Sequence, residues 1–456
     1  MSARRSKTRS RTTEILIDSL DAKGVSGLDA NKNRWSCKGP AIGDRVTIQR
    51  KKKGKAVLVA ILEESADRVT PKCSHFLTCG GCQLQHTPLE KQREAKQAYV
   101  ERLFQNFQGI IHTIRGADSG YHYRNKMELS FGTRRFYTEP PEEKPENGSF
   151  LGMHPWGWYS KIVPLTECAL AEESIDQAIQ FFSTLELKPA WDTYEHQGVW
   201  RHVVFREGGG LSINLITSSQ AKREQVLALA QDLQQLPNVR GIIWTINDGV
   251  AEVATGALKE ILYGTTDIEI PLLDKKLLLP HTGFAQVNNQ GAKILLETII
   301  EACQESKGTL LDLYCGSGAI GLALSDFFDD IIGIEIQPQA IEQAKQNAER
   351  MGIKGTWLAG PVEKIIPTLS WSSPATIIVD PPREGLHPKA AQFLASQAAE
   401  QLIYIACNPK SLARDQEILE QGSWQLEQIW SVDLFPQTPH LELVGRFVRK
   451  NNRNAE

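Results

Sequence analysis

The chain has 456 residues, 41% apolar and 23% charged, with a formal net charge of -3. That length predicts roughly two to four domains with real hydrophobic cores. No apolar run approaches the ~18 residues of a membrane span, and the basic start lacks the apolar stretch of a secretory signal, so a cytoplasmic protein that does not span a membrane is expected. Charge is uneven: residues 1–60 carry 15 Lys and Arg against 5 Asp and Glu, the balance of a module that meets a polyanion. Eight cysteines in this length exclude a secreted disulfide scaffold and point to metal or thiol chemistry.

Residues 1–10 predict a disordered basic arm. Short strand patterns follow at Thr13 to Ile17, Arg45 to Gln49 and Lys55 to Leu62, with turns at Gly24, Gly27, Gly39-Pro40 and Gly43-Asp44. Together they predict a small β-barrel over 11–66. Lys51, Lys52, Lys53 and Lys55 sit in a turn of that barrel and suit a phosphate backbone; a solvated turn is the plainer alternative.

Cys73-x5-Cys79-Gly-Gly-Cys82 then places three thiols close together. Three such ligands need a fourth, and Cys168, in another short polar turn, is the best candidate. On spacing alone tetrahedral zinc and an iron–sulfur cluster both remain open. His75 and His86 read as turn residues. Pro88 to Gln105 predicts a helix. Tyr121 to Ser130, with Arg124 and Lys126 among aromatic residues, has the mixture that single-stranded nucleic acid requires, and equally that of a half-buried edge strand. Glu139 to Gly148 is acidic and proline-bearing, hence an exposed loop. Phe150 to Val163 is strand-like, and 175–185 and 221–235 are helical. In Val199 to Arg206 alternation puts Arg201 with Val203 on one side and His202 with Val204 on the other. With Leu211 to Ile216, Gly241 to Asn247 and Glu260 to Tyr263, these segments predict a central α+β domain over 67–280. Thr282 to Asn288 ends this layer, and a helix from Asn289 to Cys303 leads onward.

Residues 281–450 alternate strand and helix and predict a C-terminal, Rossmann-like, mostly parallel sheet. Its centre is Leu310 to Gly321, L-L-D-L-Y-C-G-S-G-A-I-G, followed by Ile331 to Glu335. Gly316 and Gly318 allow close backbone approach to a ligand, and Glu335 can accept bonds from ribose hydroxyls. The third glycine falls at Gly321, out of place for a dinucleotide, which favours S-adenosylmethionine over NAD. Ligands of such sheets lie at the carboxyl ends of strands. Three of these ends carry reactive groups. Asp380-Pro-Pro-Arg383 fixes a carboxylate and a planar cation. Cys407, before Asn408-Pro409, is placed as a nucleophile. Glu442 opens the last strand, where a half-buried carboxylate can act as base.

Taken jointly, the motifs resemble the RNA uracil-5-methyltransferases, which use S-adenosylmethionine. The motifs are Cys73, Cys79, Cys82 and Cys168; Arg201-His202 with Arg206; Phe284-x-Gln286-x-Asn288; Asp312 to Gly318; Asp380 to Arg383; Cys407-Asn408-Pro409 with Leu412 to Asp415; and Asp433 through Pro436 to His440 and Glu442. The resemblance implies Cys407 as nucleophile and Glu442 as proton acceptor. It implies Gln286, Tyr314, Gly316, Gly318, Glu335 and Asp380 as cofactor contacts, and Arg383, Arg201, His202 and Lys126 as substrate contacts. The four cysteines are similar to those holding a [4Fe-4S] cluster in the branch acting on large-subunit ribosomal RNA, and the barrel resembles that branch's TRAM domain. A monomer acting on ribosomal RNA is therefore expected. Three alternatives stand beside it: the same reaction on transfer RNA, a non-catalytic RNA-binding or assembly protein, and a redox enzyme. The last would need a C-x3-C-x2-C spacing, whereas the chain has C-x5-C-x2-C.

Overall fold

A computed structural model describes residues 12–142, 148–304, 307–371 and 375–450. The expected basic arm, and residues 143–147 of the acidic loop, lie outside the described residues.

The N-terminal part consists of two three-stranded antiparallel sheets. One orders Thr12–Leu16, Arg45–Arg50 and Ala56–Glu63; the other orders Ser19–Asp21, Gly24–Leu28 and Arg34–Cys37. Gly27 is where they cross: a Cβ there would lie 1.9 Å from the Leu16 carbonyl. Ile15, Ile17, Leu20, Val25, Val46 and Ile48 form the core between them. Leu84 and Ala95 of the following segment complete it. Arg102, near the end of helix Leu89–Leu103, donates to Ser19 Oγ and to the Leu20 carbonyl, which fastens the second of these sheets to that helix.

Among the described residues the central layer is a seven-stranded sheet. Its order is Val163–Pro164, Phe150–Met153, Lys126–Gly132, Trp200–Glu207, Leu211–Thr217, Val239–Ile246 and Ala257–Gly264. Helices Glu173–Ser183 and Arg223–Leu233 place Ile175, Ile179, Phe182, Val226, Leu229 and Leu233 against the sheet residues Val203, Phe205, Ile213 and Leu215.

The C-terminal sheet positions the site. From one edge it runs Thr356–Ala359, Asp330–Glu335, Thr309–Leu313, Ala375–Val379, Gln401–Ala406, Glu442–Arg449 and Trp424–Asp433. The first five are parallel; Glu442–Arg449 is inserted antiparallel. Two short pieces from far upstream, Ile110–Ile111 and Arg115–Gly116, extend the far edge by pairing with Trp424–Asp433. The helices begin where sequence chemistry allows it. Asn288 and Asn408 accept bonds from Gly291 and Lys410 amides, and prolines stand in the first turns of Pro338–Met351, Pro388–Ala395 and Pro409–Gln421. A hairpin not read from the sequence, Asp267–Leu272 with Lys275–Pro280, buries Ile268, Ile270, Leu277 and Leu279 in the same core as Leu295, Ile299, Ile341 and Ala344.

Candidate active site

Glu442 and Cys407 meet through sheet register. Ala406 pairs with Leu443 across the antiparallel strands, so the next positions outward are Cys407 and Glu442. Cys407 then leaves the sheet into Asn408, the cap of helix Pro409–Gln421. The Asn408 side chain also donates to the Arg383 carbonyl at 3.1 Å, tying this turn to the Asp380-Pro-Pro-Arg383 turn. Asp380 follows strand Ala375–Val379, and its amide donates to the Leu313 carbonyl at 3.2 Å. Arg383, Cys407, Asn408, Pro409, Pro439, His440 and Leu441 line one cavity with Tyr99 and Ala22. The last two arrive from distant segments, and nothing in the local sequence could have announced them.

Two buried carboxyls, Glu442 and Asp380, and the Arg383 guanidinium set the electrostatics around Cys407. Burial first, then Glu442 and Asp380, push the Cys407 thiol up to about 11, while Arg383 opposes them. Glu442 is 3% exposed, and burial holds its carboxyl well above the usual range, with Asp380 adding to the effect and Arg383 opposing it. Asp380 is raised to about 7 by burial and by Asp312. His440 is lowered to about 4 by burial, then by Arg383, Lys96 and Lys38, so it is neutral near pH 7.

Next to it, the glycine turn has the shape a nucleoside-bearing cofactor requires. Tyr314, Gly316 and Gly318 take positive φ of 65°, 55° and 81°. A Cβ on Gly318 would approach Trp357 at 2.9 Å and Ala344 at 3.1 Å, so this position admits only glycine without rearrangement. Glu335 accepts from the Gly316 amide at 3.2 Å and from the Gln337 amide at 3.0 Å, which fixes the carboxylate at the end of its strand. Asp312 is fully buried; one oxygen accepts from the Gly321 amide at 2.9 Å and the other makes no hydrogen bond. Gln286 lies half-buried in the loop before helix Asn289–Cys303, its carbonyl accepting from Asn125 at 3.1 Å. A Cβ on Gly316 would meet nothing within 4 Å, and this open turn beside the Glu335 carboxylate fits S-adenosylmethionine.

The substrate-side residues fall elsewhere. Lys126 pairs with Glu128 at 2.7 Å on the central sheet. Arg201 is fully buried, donates to the carbonyls of Asn247, Gly249 and Ala251, and lies over the Trp191 ring. It thereby shapes the 247–251 loop. His202 is buried beside Ser130, 3.2 Å from its hydroxyl. Only Arg383 of the four lines the Cys407 cavity.

Cys73, Cys79, Cys82 and Cys168 are all unpaired and line a common cavity with Gln85 and Arg124. Burial, with the neighbouring thiols, raises Cys79 and Cys82 to about 12. Gln85 holds the segment closed, accepting from the Cys73 amide and donating to Cys82 Sγ. Among the described residues no group of three or more His, Cys, Asp and Glu is disposed to hold a metal ion, these four cysteines included, so the expected cluster has no ready ligand set here. Also among them, no helix is long and apolar enough to cross a membrane.

Residues 265–359 and 368–451 match the family described as tRNA (uracil-5-)-methyltransferase. An uncharacterized RNA methyltransferase of Clostridium tetani is 32% identical over 91% of this chain and 91% of its own length. One from Caldanaerobacter subterraneus is 31% identical over 94% and 97%. The chain belongs to the RNA uracil-5-methyltransferase family. The crystal structure of Pyrococcus abyssi tRNA (uracil-54, C5)-methyltransferase in complex with S-adenosyl-L-homocysteine shares the fold, with a TM-score of 0.74 over 95% of this chain and 100% of that one at 24% identity. Members of this family are S-adenosylmethionine-dependent enzymes.

Proposed function

We propose that the protein methylates C5 of a uridine in RNA, with large-subunit ribosomal RNA as substrate, through a covalent bond between Cys407 and C6 of the base. The observation that carries this reading is the register that sets Cys407 beside Glu442. C5 of uracil is too weak a nucleophile to be alkylated directly. Addition of the Cys407 thiolate at C6 gives C5 enolate character. S-adenosylmethionine, when bound, supplies the methyl group. Glu442 then accepts the C5 proton, the C6–S bond breaks, and Cys407 leaves as thiolate. A carboxylate in so apolar a place is a stronger base than an exposed one, because burial favours its protonated form. Arg383 is the one cation among the groups acting on Cys407, and it stabilises the thiolate. Gln286, Tyr314, Gly316, Gly318, Glu335 and Asp380 are assigned to the cofactor. A target uridine in folded RNA must leave its stack to reach this pocket.

We assign Cys73, Cys79, Cys82 and Cys168 to a [4Fe-4S] cluster that clamps the segment joining the barrel to the catalytic sheet. Four unpaired thiols at one cavity support the assignment, and a thiolate-only donor set suits iron–sulfur chemistry. The N-terminal double sheet takes the place of a TRAM domain, with Lys51, Lys52, Lys53 and Lys55 toward RNA. The test is methyl transfer from labelled S-adenosylmethionine to unmodified ribosomal and transfer RNA, with protein purified without oxygen. Label in 5-methyluridine from large-subunit RNA is expected. Label from transfer RNA alone would keep the chemistry and move the substrate; no label in either would refute the reading.

A further inference from the structure

A second cavity opens on the central sheet, away from Cys407. Its walls include Trp156, Trp158 and Tyr159, and its floor carries His202 and Glu252. Trp158 is 53% exposed and Tyr159 76% exposed, large aromatic surfaces left in water. The floor is the reverse: His202 is 2% exposed, and its Nε2 has no hydrogen-bond partner. Glu252 Oε1 makes no hydrogen bond but pairs with the buried Arg201 guanidinium at 3.7 Å, and Oε2 stands 4.0 Å from His202 Nε2, beyond hydrogen-bonding distance. Buried polar groups are ordinarily satisfied. An unpartnered imidazole nitrogen facing a cavity, with a carboxylate beside it, marks a place where a ligand's polar edge completes the bonding. Ser130 fixes the imidazole from its other nitrogen at 3.2 Å.

Two lysines stand over the cavity's tryptophans, and Glu128 on its wall is paired with Lys126. Lys161 lies 4.7 Å from the Trp158 ring centre, and Lys38, from the N-terminal sheets, lies 4.4 Å from that of Trp156. Lys38 also links this cavity to the active site, since its charge is felt at His440 on the Cys407 cavity. A polyanionic strand with its reacting base at Cys407 would meet Lys38 next and the aromatic cavity after it.

We propose that this cavity binds an unstacked nucleobase of the same RNA strand that carries the target uridine, stacked on Trp158 and Tyr159 with its polar edge on His202 and Glu252. The proposal rests on the reading of the substrate as RNA. Aromatic faces, a paired donor and acceptor at depth, and cations at the mouth are the three things a splayed base and its phosphates require.

The test uses the full chain and single-stranded RNA of about 20 nucleotides with one central uridine and randomised flanks, intact or with one abasic site at each flanking position in turn. Binding of the wild type should drop about tenfold at one flanking position when its base is removed. Trp158→Ala and Tyr159→Ala, both at exposed positions, should lose about as much on the intact RNA and little more on that abasic RNA. Ultraviolet crosslinks from that position should map to 156–159. The proposal is overturned if both variants bind within about twofold of wild type, or if their losses multiply with base removal at every position. Methyl transfer to the same RNAs is scored separately. Absent methylation with the base-dependent binding intact would remove the proposed reaction and leave this site standing.

Discussion

Alkylation of Cys407 gives a direct reading of the pocket. With a thiol pushed up to about 11, the thiolate fraction at pH 7 is about 10⁻⁴, against about 3% for an unperturbed cysteine. The thiolate is the reacting species. Iodoacetamide modification of this residue, followed by peptide mass mapping in the protein without RNA, should therefore rise about tenfold per pH unit from 7 to 10. An ordinary cysteine would level off near pH 8.5. The sign follows from the causes: burial and the two carboxylates disfavour the anion, and Arg383 favours it. Glu442→Gln should move the profile to lower pH and Arg383→Leu to higher pH. A plateau between pH 8 and 9 in the wild type, or no movement in either variant, would refute the electrostatic account of the pocket.

Other outcomes follow from neighbouring geometry. Cys407→Ala should still bind RNA yet form no covalent adduct on a denaturing gel, while Glu442→Gln should accumulate adduct with turnover lowered about 10²- to 10⁴-fold; an adduct in the alanine variant would move the nucleophile elsewhere. Gly318→Ala should lose S-adenosylmethionine binding by calorimetry, because the new methyl meets Trp357 at 2.9 Å in a left-handed backbone. Unchanged affinity would contradict the assignment of that turn. Protein purified without oxygen should contain about four iron and four sulfide per chain, lost in Cys82→Ser; iron-free wild type would remove the cluster. Lys96→Met should cost about 3 kcal/mol in urea denaturation, because it strands the buried Asp433 carboxylate with Arg93 as its remaining cation. Adding Asp433→Leu should recover part of that loss.

How legible the site was depended on whether a residue's role is local. Cys407, Asp380 and the Gly316 turn could be read because each stands at the end of an apolar strand pattern, and such ends face the ligand side of a parallel sheet. Their company came from the family resemblance and not from the local pattern. That Glu442 stands beside Cys407 depends on an antiparallel strand inserted next to Gln401–Ala406, and strand order is not written in alternation. Arg201 shows the opposite difficulty. The resemblance makes Arg201 a substrate contact, yet strand Trp200–Glu207 is covered as far as Arg206 and Arg201 turns to backbone carbonyls. Glu252 carried no local signal, since it lies in a loop whose position depends on that same arginine. The hairpin at 267–280 did carry one, Ile268, Ile270 and Leu272 in alternation.

The same logic gives the cysteine segment a structural part in the proposed reaction, which involves no electron transfer. The loop Asp433 to His440 forms part of the active-site wall and is held chiefly by residues from before position 125. Gln437, at a positive φ of 66°, exchanges two bonds with the Gln92 side chain, and its carbonyl accepts from the Gln83 and Leu84 amides. Lys96 donates to the Phe435 carbonyl and the Tyr123 hydroxyl to that of Pro436. Gln83 follows Cys82 directly, and Gln85 is bonded to both Cys73 and Cys82. A strained loop persists only while its surroundings over-determine it. Anything that fixes the Cys73 to Cys82 segment therefore fixes His440 and the approach to Glu442. Gln92→Ala should lower turnover in RNA methylation with the iron content unchanged, whereas Cys82→Ser should lower both. Equal activity of Gln92→Ala and wild type would show that the loop holds its shape without the segment.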